Sequence, residues 1–164
     1  MGECELKPNP RWGVEYRIAR KEDSEELAPK LRSFDRRECA AVGMADMVKA
    51  LEISRIGSDI CYAVSLNKEL AMLVGVSIPL LGGEGSIWAL GSDLLFKHPR
   101  AMLEEGRKGV KHFLSYHSSY SNYIGADNSL TICWLKHLGF RIGEPEPFGV
   151  SGQLFRKIII GDNE

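Results

Sequence analysis

The segment YIGADNSLTICWLKHLGF, at positions 123–140, constrains the fold more than any other part of the sequence. A short strand is predicted over 121–127 and a helix over 128–138. Asn128 is a good N-cap, since its side chain can accept a hydrogen bond from the first turn of a helix. Gly139 suits the left-handed conformation that ends a helix, and the FRIGE string after it predicts another strand. A strand, a helix and a further strand in this order favour a layered α/β fold.

The rest of the chain supplies strands and a long helix that complete such a fold. VEYRIAR at 14–20 alternates apolar and polar residues, as a half-buried strand does. ICYAVSL and LAMLVGVSIPL flank the turn Asn67–Lys68 and predict a hairpin, and SIWALGSD at 86–93 predicts a further strand. Pro99 suits the first turn of a long helix that extends to about Tyr116. QLFRKIII is predicted to be the last strand.

Two capping patterns predict helices between the first strand and the hairpin. Asp23 and Glu26 have the spacing of a capping box and are predicted to begin the first helix. Asp35 and Glu38 have the same spacing and are predicted to begin the second, which should end near Gly57. Helices are therefore expected to cover a sheet.

Together these elements predict a single α/β domain, a mixed sheet of about seven strands flanked by helices. The domain is expected to span 14–161 and to follow an N-terminal extension at 1–13. A chain of 164 residues is long enough to bury a sizeable core. Gly106 and Gly109 are expected to let the long helix approach the sheet closely, because neither has a side chain to separate them.

Composition argues against several functions. The formal net charge is −1, from 21 basic and 22 acidic residues, and gives no cationic surplus that would attract nucleic acid or a membrane surface. No run approaches the ~20 apolar residues that span a bilayer, and the first residues lack the apolar stretch of a signal peptide. The cysteines and histidines show no metal-binding spacing, so no metal is predicted. The cysteines are interpreted as reduced packing residues of a cytosolic protein: Cys4, Cys39, Cys61 and Cys133.

The order of elements resembles that of the GNAT superfamily, whose members are N-acetyltransferases that use acetyl-CoA. The resemblance spans about 14–160, and its most specific part is the spacing of Asn128, Gly139 and Phe140. In the superfamily an Asn begins this helix, and Gly-Phe follows at the same distance. The resemblance implies a GNAT-like fold with a site for acetyl-CoA.

A narrower resemblance is to a GNAT-like family encoded by short-tailed bacteriophages, the small internal virion proteins. It rests on the strings FDRRECAAVG, SIWALGSD, YIGADN, WLKHLGF and GVSGQLFRKI. Proteins of that family are associated with the assembly of the phage's internal ejection components. The resemblance implies other phage structural proteins as partners, and a location in the host cytoplasm or in the virion.

The phosphate-binding loop departs from the superfamily pattern. GNAT enzymes hold the CoA pyrophosphate with a Gln/Arg-x-x-Gly-x-Gly/Ala loop, whose backbone N–H groups donate at a helix N-terminus. In this chain Gly91 comes too early for the pattern, and Pro99 has no N–H to donate. The candidates that remain for binding the cofactor are Ser92, Asp93, Lys97, Arg100 and Asn128.

The catalytic groups depart from the pattern as well. The Tyr that GNAT enzymes often carry seven residues after the Asn is replaced by Leu135, which has no proton to donate. Glu84 and Asp93 are candidates for the base that deprotonates the amine. Tyr123 is a candidate to replace the missing acid, and so are the nearby Tyr116 and Tyr120.

Two functions remain open at this point. The first is a phage-encoded GNAT-fold protein whose acetyl-CoA site is degenerate and which acts through protein contacts in virion assembly. The alternative is a divergent acetyl-CoA-dependent N-acetyltransferase, with a small-molecule or protein amine as acceptor. The alternative predicts a V-shaped opening between 86–93 and 121–127, with free backbone N–H groups near 92–98. An opening filled by side chains would exclude it.

Overall fold

The computed structural model describes residues 6–162, so Cys4 and its predicted packing role lie outside the described residues. The strands are β1 Val14–Ile18, β2 Ile60–Leu66, β3 Glu69–Ser77, β4 Gly85–Gly91, β5 Ser119–Gly125, β6 Arg141–Pro147 and β7 Leu154–Gly161. The helices are α1 Lys21–Leu27, α2 Ser33–Ala41, α3 Met47–Ile56, α4 Pro99–Leu114 and α5 Ser129–His137. Short 3-10 turns cover Ala28–Lys30 and Asp93–Lys97.

The strands form one sheet in the order β1-β2-β3-β4-β5-β7-β6, which confirms the predicted α/β fold with a mixed sheet. β4 and β5 run parallel and are joined by the crossover helix α4, while the other neighbours are antiparallel. The predicted hairpin is also confirmed. β2 and β3 meet through Asn67 and Lys68, both at positive φ (48° and 67°), as a tight two-residue hairpin turn requires.

Helices cover both faces of the sheet. On the α1/α3 face, Leu27 and Leu51 pack against Leu73 of β3 and are fully buried. On the α4/α5 face, Phe113 of α4 and Leu135 of α5 pack on the central strands. The core therefore lies in two layers, one on each side of the sheet. Among the described residues, no helix has the length and apolar character needed to cross a membrane.

The first two helices begin earlier than the capping patterns predict. α1 begins at Lys21, so Asp23 lies in its first turn and accepts a hydrogen bond from the Arg20 amide (2.7 Å). α2 begins at Ser33, so Asp35 and Glu38 project from inside the helix and do not begin it. Residues three apart lie about one turn apart at any position in a helix. The Asp-x-x-Glu spacing therefore does not locate the first residue of the helix, which explains the wrong assignment.

The single helix predicted to run on to Gly57 is divided in two. α2 ends at Ala41, and Gly43 adopts a φ of 91° before α3 begins. The cap of α3 is Asp46, whose side chain accepts a hydrogen bond from the Lys49 amide (3.2 Å). The division places α2 beside the ends of β4 and β5.

The strand, helix and strand at 119–147 confirm the prediction from the C-terminal segment. Gly139 ends α5 with a φ of 99°. Phe140 then enters the core and is 7% exposed. Leu135 also belongs to this core, so the residue that replaces the expected Tyr packs against apolar side chains.

Candidate functional site

β4 and β5 separate along most of their length, as the enzyme alternative predicts. They pair only at their N-terminal ends, through Gly85 with Tyr120 and Ser86 with Ser121. Beyond that point the Asn122 side chain joins the strands: its Nδ2 donates to Ile87 O at 2.6 Å. The strands then diverge towards their C-terminal ends.

The backbone of Ala89 faces this opening. In the antiparallel β3–β4 pair, alternate residues of β4 direct their N–H and C=O groups away from β3. Ser92 N–H donates to Ala71 O of β3 (2.9 Å), which directs the groups of Ala89 and Gly91 towards β5. Within the described part of the chain, β5 has no residue paired with Ala89. Its side chain is also exposed, although β4 is a central strand.

A cavity of about 370 Å³ passes through the opening. On the α4/α5 face it is lined by Ile87, Ala89, Met102 and other apolar residues. On the opposite face it reaches Trp88, and it reaches Phe148 in the β6–β7 loop. Sites for small molecules commonly enclose ~300–1,000 Å³, so the cavity has the size of a ligand site. The opening is therefore not filled by side chains.

α2 joins the two strands at the mouth of the opening. Arg32 and Asp35 form a buried ion pair (2.8 Å), with both side chains at most one-tenth exposed. Asp35 accepts a hydrogen bond from Gly91 N–H at the end of β4 (3.0 Å). Arg32 donates to Thr131 Oγ1 of α5 at 3.1 Å. The pair thus connects the end of β4 to the first turn of α5.

Glu38 occupies the corresponding position at the end of β5. Its Oε1 accepts hydrogen bonds from Gly125 N–H (2.9 Å) and from Asn128 Nδ2 (3.1 Å). Burial raises the pKa of Glu38, although these two hydrogen bonds act in the opposite direction. A carboxyl group with a raised pKa beside a cavity is a candidate for general acid or general base chemistry.

Asn128 carries an unsatisfied atom in this site. The residue is 1% exposed and lines the cavity, but its side chain makes no capping hydrogen bond to α5. Because Nδ2 is bonded to Glu38, Oδ1 is left without a partner in the described structure. A buried amide oxygen without a donor is costly, so this position is suited to a ligand that carries an N–H group. The predicted N-cap residue is therefore directed at the cavity.

The other predicted cofactor residues lie outside the cavity lining, around the start of α4. Ser92 is buried, and its Oγ accepts from Leu94 N–H (3.3 Å). Asp93, Lys97 and Arg100 are exposed.

The prediction of free N–H groups at 92–98 is wrong for several of these positions. The amides of Ser92, Leu94 and Leu95 donate within the 3-10 turn or to β3. Met102 N–H bonds back to His98 O (3.0 Å), and Pro99 has no N–H. The first turn of α4 therefore leaves the amides of Arg100 and Ala101 as its donors.

The predicted catalytic candidates are not brought together. Glu84 lies at the paired ends of β4 and β5, away from the opening, and forms an ion pair with Lys157 (3.0 Å). Asp93 is exposed in the turn before α4. Tyr123 lines the cavity and stacks on Phe148 with ring centroids 4.0 Å apart. Of the three, only Tyr123 is placed to act in the opening.

Three functional candidates were missed by the sequence prediction: Arg32, which precedes α2, and Asp35 and Glu38 of α2. The signal was present in DRRE, where two carboxylates one helical turn apart share a helix face. When that spacing is interpreted as a capping box, both side chains are expected to accept hydrogen bonds from backbone N–H groups at the start of the helix. Among the described residues, no cluster of His, Cys, Asp or Glu is arranged to hold a metal ion.

Comparison with solved structures finds acetyltransferases. The chain is similar to a GNAT-family acetyltransferase from Bacillus anthracis, with a TM-score of 0.68 and 12% identity over 93% of this chain and 96% of the other. It is similar to the ribosomal-protein-S18-alanine N-acetyltransferase from Escherichia coli, with a TM-score of 0.64 and 11% identity over 92% and 95%. A ribosomal L7/L12 alpha-N-protein acetyltransferase in complex with coenzyme A gives a TM-score of 0.64 and 10% identity over 91% and 94%. Neither a protein-family model nor a curated protein matches the sequence.

At these identities the similarity shows the fold, so the predicted GNAT fold is confirmed. All three structures are named as acetyltransferases. They give no support to the resemblance with phage internal virion proteins, or to phage structural proteins as partners.

Proposed function

We propose that the chain is an acyl-CoA-dependent N-acyltransferase. The observation that carries the proposal is the cavity through the parted strands, into which the peptide groups of Ala89 are directed. A backbone N–H at this point can donate to the oxygen of a bound acyl carbonyl and stabilise the charge that develops there.

The residues of the mouth suit a CoA thioester. Asn128 Oδ1 lacks a donor, and the arm of CoA carries amide N–H groups that would supply one. Lys97 and Arg100 would attract the phosphates, although the amide-rich loop of the superfamily is replaced by a 3-10 turn. The donor supplies an activated acyl group.

Glu38 is assigned as the general base and Tyr123 as the general acid. The amine nitrogen bonds to the acyl carbon as the carbon–sulfur bond breaks, and the electron pair of that bond goes to sulfur. Glu38 takes the proton from the nitrogen, and Tyr123 supplies one to the departing thiolate. Solvent restores both groups, so the net products are an amide and a free thiol.

The acceptor in this proposal is a protein amine. Two of the similar structures are named for acetylation of ribosomal proteins, which supports an acceptor of this class. The acceptor would approach from the side of Trp88 and Phe148, opposite α4 and α5. Glu38 would then meet the amine at the end of β5.

Titration calorimetry with acetyl-CoA and a thiol-release assay with peptide amines test the proposal. We expect micromolar binding by the wild-type protein, and by Glu38→Gln, together with a loss of transfer on the order of 100-fold or more in Glu38→Gln. Glu25→Gln, an exposed change on α1, is the matched control and should transfer normally. Absence of acyl-CoA binding would refute the proposal.

A non-catalytic role in protein contacts is the second candidate. It is favoured by Leu135, which is apolar and buried where the superfamily often has its acid. It is also favoured by α2, whose side chains bond to Gly91 and Gly125 at the mouth. This candidate predicts no transfer to any amine and no effect of Glu38→Gln beyond stability.

A further inference from the structure

The cavity extends well beyond the opening, across the α4/α5 face of the sheet. Four of its lining residues are cross-strand neighbours in one row: Gly91 of β4, Met72 of β3, Val64 of β2 and Tyr16 of β1. With neighbouring strands ~4.8 Å apart, this row reaches about 14 Å from the opening. We call the part of the cavity along this row, between the sheet and α4, the tunnel.

The roof and the walls of this tunnel are apolar. α4 contributes Ala101 and Met102, and the turn before it contributes Leu95 and Phe96. At the beginning of the tunnel the Leu95 side chain packs directly on Gly91, since a Cβ on this glycine would lie 2.4 Å from Leu95 Cδ1. An apolar ligand is the kind that such a surface stabilises.

The far end of the tunnel is closed by polar groups that are already paired. The Tyr16 hydroxyl donates to Glu105 of α4. Glu105 also accepts from Asn9 Nδ2 (2.7 Å) and pairs with Lys108 (3.0 Å). Because these groups satisfy one another, the end of the tunnel sets a length and does not demand a polar ligand.

The exposure of the central strands agrees with an incompletely filled tunnel. Met72 and Val74 of β3 are only half-buried, and Ala89 of β4 is exposed. All three lie on the face that α4 covers, where central residues are expected to be fully buried. An acetyl group fills on the order of 60 Å³, about twice the share of one water, so at Ala89 it would not reach Val64 or Tyr16.

We propose that the acyl group of the donor is a medium-length, unbranched chain of about eight carbons that lies in this tunnel. The inference rests on the proposed function, since it takes the thioester to lie at Ala89. Eight carbons extend to on the order of 10 Å with bonds of ~1.5 Å, which fits between Ala89 and the Tyr16–Glu105 pair. The peptide group of Ala89 would bind the carbonyl, and the row of Met72 and Val64 would hold the chain.

Calorimetric affinities for acetyl-CoA, octanoyl-CoA and hexadecanoyl-CoA test the inference without a need for turnover. Each buried methylene contributes up to about fourfold in affinity, so octanoyl-CoA should bind at least tenfold more tightly than acetyl-CoA. Hexadecanoyl-CoA should bind no more tightly than octanoyl-CoA, because the tunnel ends at Tyr16. Equal affinity for acetyl-CoA and octanoyl-CoA would overturn the inference and leave the proposed function standing. Failure of all three to bind would overturn both.

Variants separate the tunnel from non-specific binding. Val64→Phe fills the tunnel and should reduce the ratio of octanoyl-CoA to acetyl-CoA affinity to within twofold of unity. Val48→Phe, the same change on the outer side of α3, should keep the wild-type ratio. If Val64→Phe does not fold, Val74→Phe replaces it, since Val74 is half-buried and has room for a larger ring. A wild-type ratio in whichever tunnel variant folds would overturn the inference.

Discussion

At the scale of single residues, α2 shows how one spacing permits two structures. Asp35 and Glu38 are separated by one helical turn, which fits a capping box and also fits two carboxylates on one helix face. The choice depends on where the helix begins, and Ser33 begins it two residues before Asp35. Only the folded chain shows that Gly91 and Gly125 offer amides at the matching distance. The site carboxylates were therefore visible in the sequence, but their partners were not.

The raised pKa of Glu38 predicts the pH dependence of transfer. A base acts in its ionised form, so kcat/KM should rise with pH through an inflection above ~4.3, the ordinary value of a Glu side chain. Burial is the cause of the raised value. A pH–rate profile from pH 4 to pH 9 measures the inflection. Glu38→Gln should remove this step from the profile, and an inflection near ~4.3 would contradict the assignment.

The raised pKa of Glu38 should make transfer increase with pH but should make this group's contribution to stability decrease with pH. Because the folded protein holds the Glu38 proton more tightly than the unfolded chain does, this group's contribution to stability is full below the ordinary Glu pKa. It is lost as pH rises through the raised value. Urea unfolding should therefore show the stability of the wild type falling relative to that of Glu38→Gln as pH rises over this range. A constant difference would contradict the raised pKa.

Asp23 predicts a stability change of the other sign. Burial alone would raise its pKa, but hydrogen bonds from Arg17 and from the Arg20 amide outweigh burial and hold the pKa below its usual value. Its contribution is present above the ordinary Asp pKa and is lost as pH falls through the lowered one. Asp23→Asn should cost about 1–2 kcal/mol in urea unfolding at pH 7, limited by the partial exposure of Arg17. Glu22→Asn should cost less at the same pH, and an equal cost at pH 3 and pH 7 for Asp23→Asn would contradict the lowered pKa.

At the scale of elements, the contact between α4 and α5 was predicted only in part. The sequence predicts a long helix with two glycines that approach the sheet. Gly106 instead lies against α5, where Leu138 and Trp134 approach it, and Trp134 Nε1 donates to Met102 O (3.1 Å). A Cβ at Gly109 would meet nothing within 4 Å. Helix propensity shows that a glycine is unfavourable in a helix, but it does not show which neighbouring side chain needs the glycine's lack of a side chain.

The two glycines of α4 should respond differently to Ala. Gly109→Ala should stabilise the protein by up to about 1 kcal/mol, since Ala is the better helix former and the space is open. Gly106→Ala should give less than this or destabilise, because its Cβ would lie 2.9 Å from Leu138 Cδ2. Urea unfolding of both variants measures the difference. Equal stabilisation by both would show that the helices do not need the close approach.

At the scale of the whole molecule, the sheet consists of two parts joined at one end. β1–β4 and β5–β7 are each paired along their lengths, but they share only the short β4–β5 contact. α2 braces the parted ends, through Gly91 on one side and Gly125 on the other. The number and types of strands were predictable from local patterns. Their spatial order and the brace depend on contacts between residues far apart in the chain, such as Arg32 with Thr131, which no local pattern contains.

Loss of the brace should weaken the whole domain. Arg32→Met leaves Asp35 buried without its cation, and breaking a buried ion pair in this way costs about 3–5 kcal/mol. Arg37→Met, five residues further along, removes exposed contacts with Asp127 (3.7 Å) and the Phe34 ring (4.5 Å) and should cost less than about 1 kcal/mol. Urea unfolding at neutral pH compares the two. A similar, small cost for both variants would show that α2 is not a brace.

The unpaired peptide group at Ala89 allows hydrogen–deuterium exchange to monitor the centre of the sheet. Buried strand amides exchange slowly because they open only with large parts of the protein, yet the Ala89 amide faces a cavity and needs no such opening. The Ala89 amide should exchange its proton for deuterium early. The amides of its neighbours Trp88 and Leu90, which are bonded to β3, should exchange slowly. A molecule that donates or accepts at Ala89 would slow this one position selectively. A single fast amide in an otherwise protected strand would then report occupancy of the opening, whatever the occupant is.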